Sequence, residues 1–173
     1  MVHCAAMAAG FTLRPAELAD ADQIKDIYNH EVVRTTATFD LVTRTLADQR
    51  AWLAARSGAF AAIVAVDDDS GEIVGFAALS PYKERAAYRT SVENSIYVRR
   101  DQHRRGVGRC MLEHLLEVAA QSGFHAVFAR IEASSAASRG LHAACGFGLV
   151  GIEREVGRKF NRWLDVAVMQ KLL

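Results

Sequence analysis

Five arginines and two glycines lie close together between an apolar run typical of a strand and a pattern typical of an amphipathic helix. The first turn of a helix carries N–H groups without intrahelical partners, and the helix dipole adds roughly half a positive charge there. Glycine lets the backbone approach an anion closely, and arginine supplies forked, charged donors. The segment therefore predicts a site for a small anionic ligand, formed by Arg99, Arg100, Arg104, Arg105, Gly106, Val107, Gly108 and Arg109.

Two common phosphate-binding motifs do not match this segment. A P-loop requires Gly-Lys followed by Ser or Thr, which the segment lacks. A dinucleotide-binding fingerprint requires a third glycine at the position where this chain has Met111. On the segment alone, a glycine turn with solvated arginines remains an alternative to an anion site.

A carboxylate stands inside the apolar run that precedes this segment. In a strand over 91–98 the side chains alternate between two faces. Val92, Ile96 and Val98 then share one face, and Glu93, Ser95 and Tyr97 share the other. Glu93 is therefore either a surface group on a half-exposed strand or a functional carboxylate beside the anion site.

The remaining elements must position these residues. The pattern of apolar residues predicts the order β, α, α, β, β, β, α, β, α, β, β. This order is typical of a mixed sheet with helices on both faces, in one domain over 10–173 behind a flexible tail at 1–9. We predict strands at 11–16, 59–66, 72–80, 91–98, 125–131, 147–156 and 164–172, and helices at 17–33, 46–56, 108–123 and 136–146.

Composition narrows the class of protein further. The chain has 173 residues and a formal net charge of +1, whereas nucleic-acid binders usually carry a strong basic excess. No stretch approaches 18 uninterrupted apolar residues, so we expect no membrane span. The three cysteines, Cys4, Cys110 and Cys145, match no zinc pattern and are expected to be reduced thiols in a cytoplasmic protein without a metal.

The segment "SIYVRRDQHRRGVGRCML" resembles the acetyl-CoA loop of the GCN5-related N-acetyltransferases, whose usual form is Gln/Arg-x-x-Gly-x-Gly/Ala. The stretches "AAYRTSVENSIYV", "LHAACGF" and "EVGRKFNRWLDVAVMQKLL" resemble the phosphinothricin and methionine sulfoximine acetyltransferases of that family. The resemblance extends from Phe11 to Leu173. It implies an α/β (α+β) fold with a mixed, largely antiparallel sheet of about six or seven strands and about four helices, splayed at the acetyl-CoA strand.

For the cofactor, the resemblance implies that pantetheine bonds to the backbone of Ile96, Tyr97 and Val98, and that the glycine loop holds the phosphates. The chain departs from the family pattern at two positions. His103 occupies the first slot of the loop motif, which is usually Gln or Arg. Ser135 occupies a slot that is often Asn and that contacts the cofactor.

For catalysis, the resemblance implies Glu93 as the general base and His142 as a second catalytic group that protonates the leaving thiolate. For His142 the alternative is a partly buried helix histidine bonded to backbone. The resemblance also assigns residues to the acceptor, which a guanidinium could hold by its α-carboxylate. These residues are Lys83, Glu84, Arg85, Asn94 and Ser95. Apart from the resemblance, Phe39 in the irregular segment 35–40 is expected to be either a further wall of the acceptor site or, equally, a core residue.

The first functional hypothesis is an acetyl-CoA-dependent N-acetyltransferase, in a homodimer, that acts on the α-amino group of a small amino acid-like acceptor. A second is acetylation of a protein N-terminus, a lysine or a polyamine. A third is a non-catalytic acyl-CoA sensor, against which Glu93 argues. Near-neutral net charge makes a nucleic-acid partner the least favoured alternative.

Overall fold

The computed structural model of the chain describes residues 10–173, and the tail expected at 1–9 lies outside the described residues. Within the described range, seven strands and four α-helices follow one another in the predicted order. The strands are β1 (Phe11–Pro15), β2 (Ile63–Asp67), β3 (Ile73–Pro81), β4 (Ser91–Val98), β5 (Ala126–Glu132), β6 (Gly148–Lys159) and β7 (Arg162–Leu172). The helices are α1 (Ala21–Arg34), α2 (Leu46–Ala54), α3 (Val107–Gln121) and α4 (Ala136–Ala144).

The strands form one sheet in the order β1-β2-β3-β4-β5-β7-β6. Strands β4 and β5 are parallel, and the other neighbouring pairs are antiparallel. Helices α1 and α2 cover one face of the sheet, and α3 covers the other with α4 beside it. The prediction of a mixed, largely antiparallel sheet with helices on both faces is confirmed.

Side-chain alternation along the strands divides the core between the two faces. On the α3 face, Met111 and Leu112 pack with Val92 of β4 in a cluster of buried side chains. On the α1 face, Ile24 and Phe76 belong to a separate cluster. Full burial of an aliphatic side chain of this size contributes about 1.5–3 kcal/mol. Both faces of β4 are thus held in place by packing.

The first helix begins later than its apolar pattern predicts. Residues Leu18–Asp20 form a 3-10 turn, and the α-helix begins only at Ala21. The Asp20 carboxylate accepts a hydrogen bond from the Glu17 N–H at 2.7 Å and two from Arg14 at 2.7 and 2.8 Å. These local bonds stabilise a tight turn where the hydrophobic pattern alone predicted continuous helix.

The last hairpin is longer than predicted. Strand β6 continues to Lys159 and β7 begins at Arg162, although the sequence predicted a strand end at 156 and a start at 164. Phe160 and Asn161 have φ of 50° and 57°, as the central residues of a type I′ turn require. Because the residues around this turn are polar, a prediction from hydrophobicity ends the first strand too early and begins the second too late.

Candidate active site

The sheet opens between β4 and β5. The two strands pair only from Ser91–Glu93 to Ala126–Phe128. Beyond that point β4 continues to Val98 and β5 to Glu132 without pairing to each other. The backbone edge of Ile96, Tyr97 and Val98 that faces β5 is therefore unpaired, which is the splay that the resemblance implied.

The side chain of Asn94 lies where the strand pairing stops. Its Nδ2 donates to the Phe128 carbonyl at 3.0 Å, and its Oδ1 lies 3.1 Å from His142 Nε2. Asn94 is buried and faces α4, whereas Glu93 faces α1 and α2. The side chains of Asn94 and Glu93 therefore lie on opposite faces of the sheet.

The glycine loop ends at a helix N-terminus that no side chain caps. Gly106 precedes α3 with φ +84°, and Arg104 also has a left-handed φ of 69°. A Cβ at Gly106 would meet no atom within 4 Å, so the space above this backbone is open. His103, at the departing slot of the motif, has Nε2 3.2 Å from the Val98 carbonyl. The first-turn N–H groups of α3 can donate hydrogen bonds to phosphate oxygens here.

Most of the arginines in this loop bond to carboxylates of the protein, although the sequence suggested mobile charges. Arg99 contacts Glu72 and Asp101, Arg100 contacts Glu31, Arg105 contacts Asp67 and Arg109 contacts Glu113. Within the described part of the chain, Arg104 alone among the five makes no ion pair. Much of the local positive charge therefore stabilises the loop.

Glu93 projects from β4 on the face predicted from alternation. Val92 is fully buried on the α3 face, while Tyr97 stacks with Phe76 at a centroid distance of 5.1 Å on the other face. Glu93 is half-buried, and this burial raises the pKa of its carboxyl above the ordinary value. The charge of Arg130 opposes the rise, and that of Glu153 adds to it.

A cavity of about 290 Å³ opens beside the splayed strands. It draws side chains from the α1–α2 connection, from β4 and β5, and from the terminal hairpin. The ring of Phe39 lies against the backbone of Gly157, where an added Cβ would fall 2.2 Å from Phe39 Cε2. Phe39 is thus a cavity wall. The lining residues are Ala37, Thr38, Phe39, Tyr97, Arg130, Glu132, Val156 and Val166.

Long-range hydrogen bonds hold the α1–α2 connection over this cavity. The buried Lys159 donates from Nζ to the Thr38 carbonyl at 2.6 Å, and the Tyr28 hydroxyl lies 3.0 Å from Thr38 Oγ1. Burial lowers the pKa of Lys159, against the opposing charges of Asp40 and Glu31. The connection is irregular in secondary structure, but its position is fixed by these contacts.

His142 lies on α4 and is 4% exposed. Its Nδ1 is 2.8 Å from the Ser138 carbonyl, and its Nε2 faces Asn94. Burial lowers the pKa of His142, and the bond to Ser138 opposes this effect. Both ring nitrogens therefore have partners within the protein. Ser135, half-buried, is the N-cap of α4 and its hydroxyl caps no helix N–H.

The loop between β3 and β4 carries the predicted acceptor residues outside this cavity. The Nζ atom of Lys83 lies 4.8 Å from the Tyr82 ring and 5.2 Å from the Tyr88 ring. Glu84 and Arg85 are exposed. Tyr82 in turn stacks on Phe128 at 4.0 Å, which places this loop beside the β5 strand. Ser95 lies on β4, half-buried and opposite Ala78 of β3.

The sequence reading missed several residues of the cavity. Arg130 and Glu132 follow Phe128 at alternate positions of β5, on the face opposite to Val127, Ala129 and Ile131. That period-two pattern was visible in the sequence and could have placed both charges on the face of Glu93. Thr38 and Val156 had no such signal, because they reach the cavity only through tertiary packing.

Comparisons with known proteins agree with this architecture. A family model described as acetyltransferase (GNAT) domain matches residues 13–168. An L-methionine sulfoximine/L-methionine sulfone acetyltransferase of Pseudomonas paraeruginosa is 40% identical over 159 residues, 92% of each chain. A phosphinothricin N-acetyltransferase of Streptomyces coelicolor is 40% identical over 163 residues, 93% of this chain and 95% of that one.

A solved structure shows the same fold. The phosphinothricin acetyltransferase of Sinorhizobium meliloti in complex with acetyl-CoA superposes with a TM-score of 0.90 at 34% identity, over 95% of this chain and 89% of that one. The chain therefore belongs to the GNAT family of acetyltransferases. It is an N-acetyltransferase that uses acetyl-CoA as its acetyl donor.

Among residues 10–173, no helix is both long and apolar enough to span a membrane. The same residues contain no group of three or more histidine, cysteine or acidic side chains that could hold a metal ion.

Proposed function

We propose that this enzyme acetylates the α-amino group of a small amino acid-like acceptor of the phosphinothricin, methionine sulfoximine or methionine sulfone type. The observation that carries this proposal is a half-buried carboxylate, Glu93, at the opening of the sheet, with a cavity of about 290 Å³ nearby. A cavity of that size suits a single small molecule. Relatives that are 40% identical over most of their length carry names of this substrate class.

Glu93 is proposed to accept the proton of the acceptor ammonium, directly or through one water. An α-amino group in a peptide titrates near ~8, so an ammonium is common at neutral pH and must lose a proton before it attacks. Burial raises the pKa of Glu93, which brings the base closer to the amine that it deprotonates. The charge of Arg130 opposes this rise in the pKa of Glu93.

Acetyl-CoA supplies an acetyl group activated as a thioester. In our proposal, the free edge of Ile96, Tyr97 and Val98 holds its pantetheine arm. The loop of Arg104, Arg105, Gly106, Val107, Gly108 and Arg109 faces its phosphates, with Ser135 nearby. The open space at Gly106 and the uncapped start of α3 support this assignment.

His142 has a different role in this proposal from the acid that the resemblance implied. Its Nε2 faces Asn94 Oδ1. The Nδ2 of the same Asn94 side chain donates to the carbonyl of Phe128, the last residue of β5 that pairs with β4. We propose that His142 positions Asn94 and so fixes where the sheet opens. Protonation of the thiolate then falls to solvent or to another group.

A thiol-release assay across acceptors tests this function. We expect turnover with methionine sulfone, methionine sulfoximine or phosphinothricin, and much weaker turnover with a lysine peptide or a polyamine. Preference for the peptide or the polyamine would move the function to the second hypothesis. Tight acetyl-CoA binding with no turnover on any amine would support a sensor instead.

We also propose a homodimer in a reducing compartment such as the cytoplasm. Strand β6 is an edge strand with exposed apolar side chains, including Leu149 at 56% and Val150 at 60% exposure, and Trp163 on β7 is 60% exposed. Such a patch on an edge strand is typical of a protein interface. Sedimentation of the wild type as a dimer and of Val150→Asp as a monomer is the expected result, and a monomeric wild type would contradict it.

Cys110 and Cys145 are free thiols, which suits the proposed reducing compartment.

A further inference from the structure

One guanidinium lines the cavity and takes no proton in the transfer proposed above, although its charge opposes the rise in the pKa of Glu93. Arg130 stands in the middle of β5 and lines the cavity with a side chain that is 36% exposed. Its Nη1 donates to Glu153 Oε1 at 2.9 Å, and its Nη2 bonds to the second oxygen of the same carboxylate. Glu153 comes from β6, on the far side of β7, so the pair bridges over that strand.

Stability of the fold does not account for this arginine. Both partners of the ion pair are more than one-third exposed, at 36% and 39%, and pairs of this kind contribute little. The strand itself is held by antiparallel pairing with β7 from Ala126 to Glu132. Neither the ion pair nor the strand pairing therefore requires a cation at position 130.

The chemistry of the proposed acceptor gives a reason for a cation at position 130. A free amino acid brings an ammonium and a carboxylate at once. The ammonium is attracted by Glu93 and by Glu132, which lines the cavity and has no cation as a partner within the described residues. The carboxylate needs a charged donor, because a buried carboxylate without one is costly.

Among the residues that line the described cavity, Arg130 is the only cation. Lys159 lies nearby, but its Nζ donates to the carbonyl of Thr38 at 2.6 Å and is buried. Arg44 stacks over the ring of Tyr28 at 3.7 Å. Lys83 and Arg85 belong to the β3–β4 loop and do not line the cavity.

We propose that Arg130 binds an oxyanionic group of the acceptor, with Glu153 holding the guanidinium at the edge of the cavity. The bidentate contact with Glu153 orients the planar group and leaves its remaining N–H donors free for a second oxyanion. The inference rests on the proposed function and names the group that the cavity recognises. It makes Arg130 a specificity-determining residue for that reaction.

The test compares variants on matched acceptors. Steady-state kcat/KM is measured for methionine sulfone, its decarboxylated amine and phosphinothricin, with wild type, Arg130→Met, Arg130→Lys and Arg85→Ala. Arg154→Met is the control, because Arg154 is an exposed arginine of β6 that pairs with Asp165 and does not line the cavity. Melting temperature and acetyl-CoA affinity are measured for every variant, to confirm folding and an intact cofactor site.

We expect Arg130→Met to lower kcat/KM about 10- to 150-fold for methionine sulfone and to change the decarboxylated amine little. Loss of a charge-assisted bond to the carboxylate sets that range, and Arg130→Lys should recover part of it. Phosphinothricin distinguishes the two oxyanions. If kcat/KM falls only for phosphinothricin, Arg130 binds the phosphinate. If kcat/KM falls similarly for phosphinothricin and methionine sulfone, Arg130 binds the α-carboxylate that both share.

Three outcomes would overturn the inference. One is an equal loss for the acid and the amine, together with a shifted pH–rate profile, because Arg130 would then act only on the charge of Glu93. Another is loss of acid preference in Arg85→Ala but not in Arg130→Met, which would assign recognition to the β3–β4 loop. The third is unchanged kinetics in Arg130→Met. A wild type that acetylates no free amino acid would instead refute the proposed function itself.

Discussion

The two halves of the cleft are built from different parts of the chain. The proposed cofactor half is one continuous stretch, in which the edge of β4 leads through the glycine loop into the first turn of α3. The proposed acceptor half is the cavity, which collects side chains from the α1–α2 connection, from β4 and β5, and from both strands of the last hairpin. One half is formed by local backbone geometry and the other by long-range packing.

The halves also use charge differently. In the cofactor half, Arg100 and Arg105 bond to the carboxylates of Glu31 and Asp67, so these cations stabilise the loop. In the acceptor half, Arg130 and Glu132 face the cavity. A ligand that is the same for a whole family can be bound by backbone N–H groups, whereas a particular acceptor must be recognised by side chains.

The largest effect is expected at the boundary between the halves. Glu93→Gln keeps the shape of the side chain and removes its basicity, so kcat should fall about 100-fold or more, the usual scale for a positioned base. Acetyl-CoA affinity, which belongs to the cofactor half, should stay unchanged in calorimetry. Near-wild-type turnover of Glu93→Gln at neutral pH would show that another group accepts the proton.

The raised pKa of Glu93 gives this prediction a second measurement. Because burial raises the pKa in the folded state, the ionised carboxylate costs stability at neutral pH, and this cost disappears as pH falls below the folded pKa. Glu93→Gln should therefore melt no lower than wild type at neutral pH, and the two should converge in acid. In the pH profile of kcat/KM, the apparent pKa of the acid limb should lie above the ordinary pKa of a glutamate, ~4.3.

The second effect concerns stability in the cofactor half. Glu31 is 7% exposed in its side chain and bonds to Arg100 at 2.9 Å and to Thr35 at 2.6 Å. Arg100→Ala leaves that buried carboxylate without its cation, and the free energy of unfolding should fall by about 1–3 kcal/mol. Arg109→Ala is the matched control, because it removes a solvent-exposed pair with Glu113 and should lower the free energy of unfolding much less than Arg100→Ala.

The pH dependence of the Arg100→Ala defect follows from Glu31. Burial would raise the pKa of Glu31, but the bonds from Arg100 and Thr35 outweigh it and the pKa is lowered. A lowered pKa contributes stability above the unfolded value, ~4.3, and that contribution is lost as pH falls through the folded pKa. Urea unfolding should therefore show the defect at pH 7 and a smaller one near pH 3. A constant difference would argue against the charge as its cause.

The third effect isolates backbone geometry. Gly106→Val places a β-branched side chain at φ +84° and in the open space above the start of α3, so acetyl-CoA affinity should fall at least tenfold, about 1.4 kcal/mol. Gly123→Val is the matched control at the other end of α3, with φ +78° and equally open space. Both variants should lose stability, but only the first should lose affinity in calorimetry. Equal affinities would remove the loop from the site.

The same contrast explains what the sequence could predict. The order of helices and strands and the face of Glu93 depend on local periodicity, and these predictions agree with the fold. The anion site depends on the types of neighbouring residues, and it stays a prediction. The 3-10 turn before α1 and the long last hairpin depend on Asp20 and on the turn at Phe160 and Asn161, where polar residues override or hide the apolar pattern.

The acceptor cavity depends on contacts between distant residues. Phe39 meets Gly157 across more than one hundred residues of chain, and Lys159 reaches Thr38 over a similar separation. No spacing rule connects such positions. The resemblance named the β3–β4 loop for the acceptor, but the residues that line the described cavity include Arg130, which alternation along β5 could have indicated.

The smallest effect is expected for the one loop arginine without an ion pair. In the described structure Arg104 has φ 69° and contacts no carboxylate, so its charge is free to follow a phosphate. A mobile, solvated cation contributes little, and Arg104→Ala should weaken acetyl-CoA binding only about two- to threefold at low salt. The difference from wild type should disappear at high salt, since screening acts on exposed charges within about 10 Å at 0.1 M. The Gly106→Val defect should persist at every salt concentration, because it is steric. A loss in Arg104→Ala larger than that in Gly106→Val would reverse the ranking, and would show that side-chain charge dominates backbone geometry in the cofactor half.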